Sequence, residues 1–344
     1  MKKIFAILVF GLMVGCEDSE KKFDVRSLQQ SILDLQIVSV HDAFETSSVE
    51  LKARIDVLGQ DLSSTSLSAA QQAWKECAVN YSFTEIYNIG EVDGSRVHLG
   101  IYSWEALAES IEEIITGGIK ELQINTLPTG SRGMAAIEYL LFAQQEAETL
   151  SLLQDTDRLS YLQLLGTNLV EKTQSLNALW QGQSTKFVEN NANGLDGSIN
   201  QIINRIINTL AIAKKLKIGI PAGLESTPVD SLALQADYSL YSLELIEANL
   251  QSISNLYFQE ESSLSDYVAS IIGNTEVNDE IKLAFQRVQS SIDQLNEPLA
   301  TAIKNQPTEV NELKVQINNL IILFTVDVSS ILSITVTPTD VDGD

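Results

Sequence analysis

Gly130-Ser131-Arg132-Gly133-Met134-Ala135-Ala136-Ile137-Glu138-Tyr139-Leu140-Leu141-Phe142 joins a glycine-punctuated turn to an apolar helical pattern holding a single acid. Met134, Ile137, Leu140 and Leu141 recur at helical spacing, which predicts a helix with one face in a core. Glu138, between Ile137 and Tyr139, falls at the edge of that face. A carboxylate there must be hydrogen-bonded, paired or metal-bound, because burying it alone costs several kcal/mol.

The same three-four periodicity runs outward in both directions. Leu28, Ile32, Leu35 and Val38 begin it; Leu51, Ile55 and Leu58 continue it; Ala70, Ala73, Trp74 and Cys77 form a third stripe. Beyond the central helix come Leu159, Leu162, Leu169, Leu176 and Leu179, then Ile199, Ile202, Ile203, Ile206 and Leu210. Leu243, Ile246, Leu250 and Ile253 make a later seam, followed by Ile281, Phe285, Val288 and Ile292, and by Leu313, Ile317, Leu320 and Phe324. Asp93-Gly94 and Gly100 mark 91–102 as a loop, and only 334–337 reads as a strand. Long amphipathic helices joined by short loops predict an all-α fold of two antiparallel helical bundles. The Asn, Gly and Asp cluster at 190–197 divides an N-terminal bundle, 28–189, from a C-terminal bundle, 198–336, with an acidic tail over 337–344.

The chain carries 46 Asp+Glu against 22 Lys+Arg, a formal net charge of −24. Such a surface repels nucleic acid and anionic headgroups, so no nucleic-acid partner is expected. Lys2 and Lys3 followed by the apolar run Ile4 to Val14 predict a signal peptide over 1–15. Met13-Val14-Gly15-Cys16 resembles a bacterial lipobox, which predicts lipidation of Cys16 and an acidic tether over 16–27. Acyl chains at about 0.8 kcal/mol per buried CH₂ would anchor the protein to a membrane of the cell envelope, here expected to be the outer one. After cleavage Cys77 is the remaining cysteine, read as a small buried hydrophobe. No later run looks long enough to be a transmembrane helix.

The opening stretch also resembles the signature of the imelysin family, G-x-H-x-x-E followed by an aromatic and two apolar residues. Gly133, Glu138, Tyr139, Leu140, Leu141 and Phe142 match it, and Ala135 stands where the family has histidine. Glu85-Ile86-Tyr87-Asn88-Ile89-Gly90-Glu91-Val92 is similar to the end of the family's first long helix, and Ser103-Trp104 to the start of the next. Lys217-Ile218-Gly219-Ile220-Pro221-Ala222-Gly223 resembles the family's K-x-G-x-P-x-G turn, and Tyr238-Ser239-Leu240-Tyr241 the segment after it. The resemblance implies two helical bundles with the signature site in a cleft between them. It also implies an envelope protein linked to iron uptake, in a family some of whose members are described as metallopeptidases.

On that resemblance the cleft residues are Glu138, Arg132, Gly133, Glu85, Trp104 and Ala135. Histidine and glutamate at i and i+3 share one helix face, so Ala135 leaves Glu138 as one ligand where the family has two. Restoring histidine at 135 would recreate a two-ligand face. Zinc catalysis takes three protein ligands and a water, and the chain has only His41 and His98. His98 is expected to be exposed in its loop, and His41 structural or exposed. Two readings of Glu138 remain: a hard cation such as iron, or another divalent ion, held by Glu85, Glu91, Asp93 and Glu138, or a carboxylate paired with Arg132 or capping backbone groups. The functional expectation is a lipid-anchored binding component in uptake of iron or an iron-containing ligand, with an iron- or haem-uptake receptor as partner. The alternatives are a divergent metallopeptidase and a structural, protein-binding lipoprotein with a vestigial site.

Overall fold

The computed structural model describes residues 23–118, 123–225 and 228–341. The predicted signal peptide over 1–15, the lipidation site Cys16 and the first residues of the tether lie outside them. The described chain is all-α, with no strand among those residues.

In the first half, α1 (Val25–Ser31) continues through a π turn, Ile32–Ile37, into α2 (Val38–Gln60). Asp24 caps α1 by accepting from the Ser27 amide, so the last residues assigned to the tether are already helical. A capping box between Ser63 and Ser66 turns the chain into α3 (Ser64–Thr84), which lies back along α2. Two single-turn helices follow, α4 (Glu91–Ser95) and α5 (Val97–Ile101), where the sequence predicted a loop. Their turn residues hid them, yet Val92 and Ile101 are buried anchors, and Arg96, at φ +54°, breaks one helix from the next. Next come α6 (Ala108–Gly117), α7 (Gly133–Phe142), α8 (Glu146–Leu152) and the long α9 (Thr156–Glu189).

Helix α9 runs antiparallel to α2, as the pairs Arg26–Glu189, Glu45–Asn177 and Ser48–Thr173 show. Gly166 permits that approach: a Cβ there would sit 3.3 Å from Ile55 Cδ1. Leu51, Ile55 and Leu58 of α2, Trp74 and Cys77 of α3, and Leu162, Leu165 and Leu169 of α9 are all fully buried in the core these packed helices share. Truncating one such leucine to alanine costs about 2–5 kcal/mol.

The second half contains α10 (Ser198–Ile212) with a terminal π turn, Ala213–Gly219, then α11 (Ser242–Tyr257), α12 (Leu264–Ile272), α13 (Glu276–Asp293) and α14 (Leu299–Asn305). It closes with α15 (Pro307–Ile322), a π turn, Leu323–Val328, and α16 (Ser329–Leu332). The run 307–332 is long and apolar enough to cross a membrane, contrary to the sequence reading. Its stripe Val310, Leu313, Ile317, Leu320, Phe324 and Val328 is nevertheless buried, packed against α10 and α13. The halves join where α3 packs along α11 and where the 3₁₀ turn Glu85–Tyr87 meets α10.

Residues 334–337 are extended but pair with no strand. They lie along α10, whose Asn200, Asn204 and Asn208 act as a ladder of side-chain amides. The Thr335 amide donates to Asn200 Oδ1 (2.8 Å), the Thr337 amide to Asn204 Oδ1 (2.8 Å) and the Asp340 amide to Asn208 Oδ1 (2.9 Å). Asn200 and Asn204 both donate back to the Thr335 carbonyl, at 3.1 and 2.9 Å. The segment read as a strand therefore has a strand's hydrogen bonds, supplied by a helix.

Candidate functional site

Gly133 sits at φ +63°, and a Cβ there would lie 2.3 Å from the Ile101 carbonyl oxygen and 2.8 Å from that of Gly100. Only glycine lets the turn before α7 press backbone against backbone on the end of α5. Helix α7 is thereby driven inside, with Met134, Ala135, Ala136, Ile137 and Leu141 at 3% exposure or less. Trp74 Nε1 donates to the Met134 carbonyl (3.0 Å) and fixes the helix against α3.

Glu138 is carried inward with the rest and is 3% exposed. Its Oε1 accepts two hydrogen bonds from one residue, the Ser239 amide and the Ser239 hydroxyl, each at 2.9 Å. Burial raises the Glu138 pKa to about 7, although the Ser239 donors oppose the shift; Asp237 adds a smaller push upward. Ser239 is presented by a turn with two non-glycine residues at positive φ, Ala236 at +61° and Leu240 at +54°. Such residues cost about 1–2 kcal/mol each. That strain is concentrated around Ser239, which donates twice to Glu138.

Tyr102 is the third member of the group. It is buried, with its hydroxyl turned to the Glu138 carboxylate. Burial, and then the negative charge of Glu138 and Glu85, hold its pKa well above the usual phenol value. Its ring meets Trp74, Tyr81 and Trp104 at centroid distances of 6.3, 6.0 and 6.5 Å.

Glu85 belongs to a separate network. Its Oε2 accepts from Asn249 Nδ2 (2.8 Å) and Lys217 Nζ (3.3 Å), while Lys217 donates to Asn249 Oδ1 (2.6 Å). The Lys217 ammonium also lies 5.4 Å from the centroid of the Trp104 ring. Burial lowers the Lys217 pKa, and the Glu85 carboxylate works against that shift. Arg205 Nε donates to the Glu85 carbonyl (2.8 Å), tying α10 to the same turn.

The predicted site residues thus separate. Glu138, Gly133 and Ala135 lie on the buried α7, with Ala135 1% exposed, while Glu85 and Trp104 meet through Lys217. Arg132 points elsewhere, donating from Nη1 to the Asn125 carbonyl (2.9 Å), so the anticipated pair with Glu138 does not form. Glu91 is exposed, and Asp93 lines a different cavity of about 290 Å³ beside Arg205, Asn208 and Asp340. His98 is half-buried on α5, not exposed, with its Nδ1 buried and unpartnered. His41 is a buried residue of α2.

These residues do not fit a metal ion. The groups facing Glu138 are hydrogen-bond donors, the Ser239 amide and hydroxyl and the Tyr102 hydroxyl, and the nearby Glu85 is committed to Lys217 and Asn249. Among the described residues no three His, Cys, Asp or Glu side chains converge. Lys217, Asn249, Tyr102 and Ser239 were missed as site residues. Lys217 and Ser239 lie inside the two second-half segments whose resemblance was noted, which was the available signal.

Fold and site together define an all-α bundle protein organised around a buried glutamate on a glycine-started helix. The chain belongs to the imelysin family (Peptidase_M75), whose profile matches residues 37–323. It is 24% identical over 203 residues to iron-regulated protein A of Synechococcus elongatus, covering 56% of this chain. The match spans about half, 54%, of that relative's length. Among solved structures it resembles an imelysin-like protein of Psychrobacter arcticum, with TM-score 0.74 and 18% identity over 91% of this chain and 96% of that one. A protein of Parabacteroides distasonis, provisionally titled an iron-regulated protein A precursor, gives TM-score 0.75 and 20% identity over 89% and 94%. These likenesses support the fold.

Proposed function

We propose that this imelysin-family protein is a binding component of the bacterial cell envelope that handles an iron-containing ligand and is not a peptidase. The observation that carries the reading is Ala135 in the signature histidine's place, beside a Glu138 whose near oxygen is already taken up by two Ser239 donors. A bare ion would find one carboxylate surrounded by donors, so the reading favours iron that arrives already chelated. The iron connection itself is suggested by the name of the cyanobacterial relative. Lipidation at Cys16, anchorage to the outer membrane and an uptake receptor as partner complete the proposal.

The test is retention of iron by the purified mature protein after desalting, measured by elemental analysis. The protein is offered ferric chloride, ferric citrate or haemin. Stoichiometric iron from a chelated form but not from the simple salt supports the reading. Iron from none of them, or EDTA-sensitive cleavage of an unfolded substrate that is lost in Glu138→Gln, overturns it. Palmitate labelling of the full chain, abolished by Cys16→Ser, tests the anchor.

A further inference from the structure

The turn 88–90 and α4 of the first half face α10 and the C-terminal tail across an open cavity of about 290 Å³. Each side brings a charged group to it: Asp93 from α4, Arg205 from α10 and Asp340 from the tail.

Contacts behind the cavity hold these groups in place. Asp340 is the third rung of the asparagine ladder. Its amide donates to Asn208 Oδ1, and Asn208 Nδ2 donates to its Oδ2 (2.7 Å). The turn before Asp93 is pinned to α9, whose Gln183 accepts from the Glu91 amide (2.8 Å) and donates to the Ile89 carbonyl (3.3 Å). Arg205 is anchored through Nε on the Glu85 carbonyl (2.8 Å).

The rest of the Arg205 guanidinium is unused. Among the described residues neither Nη1 nor Nη2 makes a hydrogen bond, and Nη1 lies 4.0 Å from Asp340 Oδ2, beyond hydrogen-bond reach. The side chain is 14% exposed, and neither nitrogen is among the buried unpartnered atoms, so solvent reaches both. A guanidinium with both Nη groups open is a fork for a planar carboxylate. The Asp340 side chain is 70% exposed. Asp93 is exposed too, and its carboxylate makes no hydrogen bond among the described residues. One cationic fork thus stands beside two accessible carboxylates.

We propose that this cavity, distinct from the Glu138 site, binds a free basic α-amino acid. The ligand's carboxylate would pair with the Arg205 fork, and its two ammonium groups with Asp340 and Asp93. One carboxylate and two cations in the ligand complement one cation and two carboxylates in the wall. A simple anion would meet two like charges, and a metal ion would meet a guanidinium. The volume, at the low end for ligand pockets, suits a molecule of amino-acid size.

The test uses the full-length mature protein and calorimetry at physiological ionic strength. The ligands are L-lysine, cadaverine (lysine without its carboxylate) and L-norleucine (lysine without its side-chain ammonium). Saturable one-to-one binding of lysine is expected, with each comparison ligand weaker by about tenfold, the loss of one charge-assisted contact. Diffuse attraction to the acidic surface predicts the opposite order, since cadaverine carries the larger positive charge. Asp93→Asn, an exposed change, should weaken lysine about fivefold and leave norleucine unchanged. Arg205→Lys, which removes the fork, should weaken lysine and norleucine and leave cadaverine unchanged. Cadaverine binding as tightly as lysine, no saturable binding of lysine, or lysine binding unaltered by Asp93→Asn overturns the proposal. Should Arg205→Lys fail to fold, the three ligands and Asp93→Asn decide without it.

Discussion

Ser239 gives both its backbone amide and its hydroxyl to one oxygen of Glu138, across 101 positions of sequence. A turn of the second half therefore closes over the central helix of the first, and the protonation of one carboxylate is coupled to that closure.

Glu138 has a folded pKa near 7 against 4.5 for the unfolded group, so between those values the folded state holds more protons. Stability from this group is full below pH 4.5 and is lost as pH rises through 7, by about 3 kcal/mol in all. Glu138→Gln removes the titration. It should be more stable than the parent at pH 8 and lose that advantage by pH 5, as read from urea midpoints at a series of pH values. A gap independent of pH would show that Glu138 does not titrate in this range.

Lys217→Met leaves the half-buried Glu85 carboxylate with its cation gone. The expected loss is about 3–5 kcal/mol, and the double variant Lys217→Met with Glu85→Gln should recover part of it. Denaturant unfolding of the four proteins gives the coupling directly, and additive losses would mean that the pair does not interact.

Glycine has opposite meanings at two positions. Gly133→Ala places a Cβ against the Ile101 carbonyl at positive φ, and should cost more than about 2 kcal/mol or abolish folding. Gly182, exposed in α9, has nothing within 4 Å of its would-be Cβ, and Gly182→Ala should stabilise by about 0.5–1 kcal/mol. Thermal midpoints of the two variants should move in opposite directions.

Ala135→His, attractive from the sequence as a way to restore two ligands, meets a buried site 1% exposed. Overpacking should cost about 1–3 kcal/mol, with no stoichiometric gain in zinc or ferric ion by calorimetry. Tight binding by the variant would mean that Glu138 can leave Ser239 for a cation.

The helices were legible because burial repeats: Leu51, Ile55 and Leu58 announce their face without reference to any distant residue. Glu138 was legible as a buried acid from its apolar neighbours, but its partner was not. Ser239 owes its position to a turn whose non-glycine residues, Ala236 and Leu240, give no sign of their positive φ. Lys217 escaped notice because a lysine ordinarily reads as surface, and the groups that make its burial tolerable, Glu85 and Asn249, stand 132 and 32 residues away. The 91–102 segment misled in the other sense, since Asp93-Gly94 lies within a helical turn.

The asparagine ladder on α10 sets two rulers side by side. Four residues of helix rise about 6.0 Å, and two residues of extended chain advance about 6.6 Å. Asn200 to Asn204 therefore matches Thr335 to Thr337 almost step for step. From Asn204 to Asn208 the tail spends three residues, Pro338 and Thr339 lying between the bound amides of Thr337 and Asp340. Proline falls at a step where no amide donates to an asparagine. Because each rung is a main-chain amide, the number of residues between rungs is fixed by the helix: deleting one of the two between Thr337 and Asp340 would leave the third rung out of reach, and with it the bond that Asn208 makes to the Asp340 carboxylate.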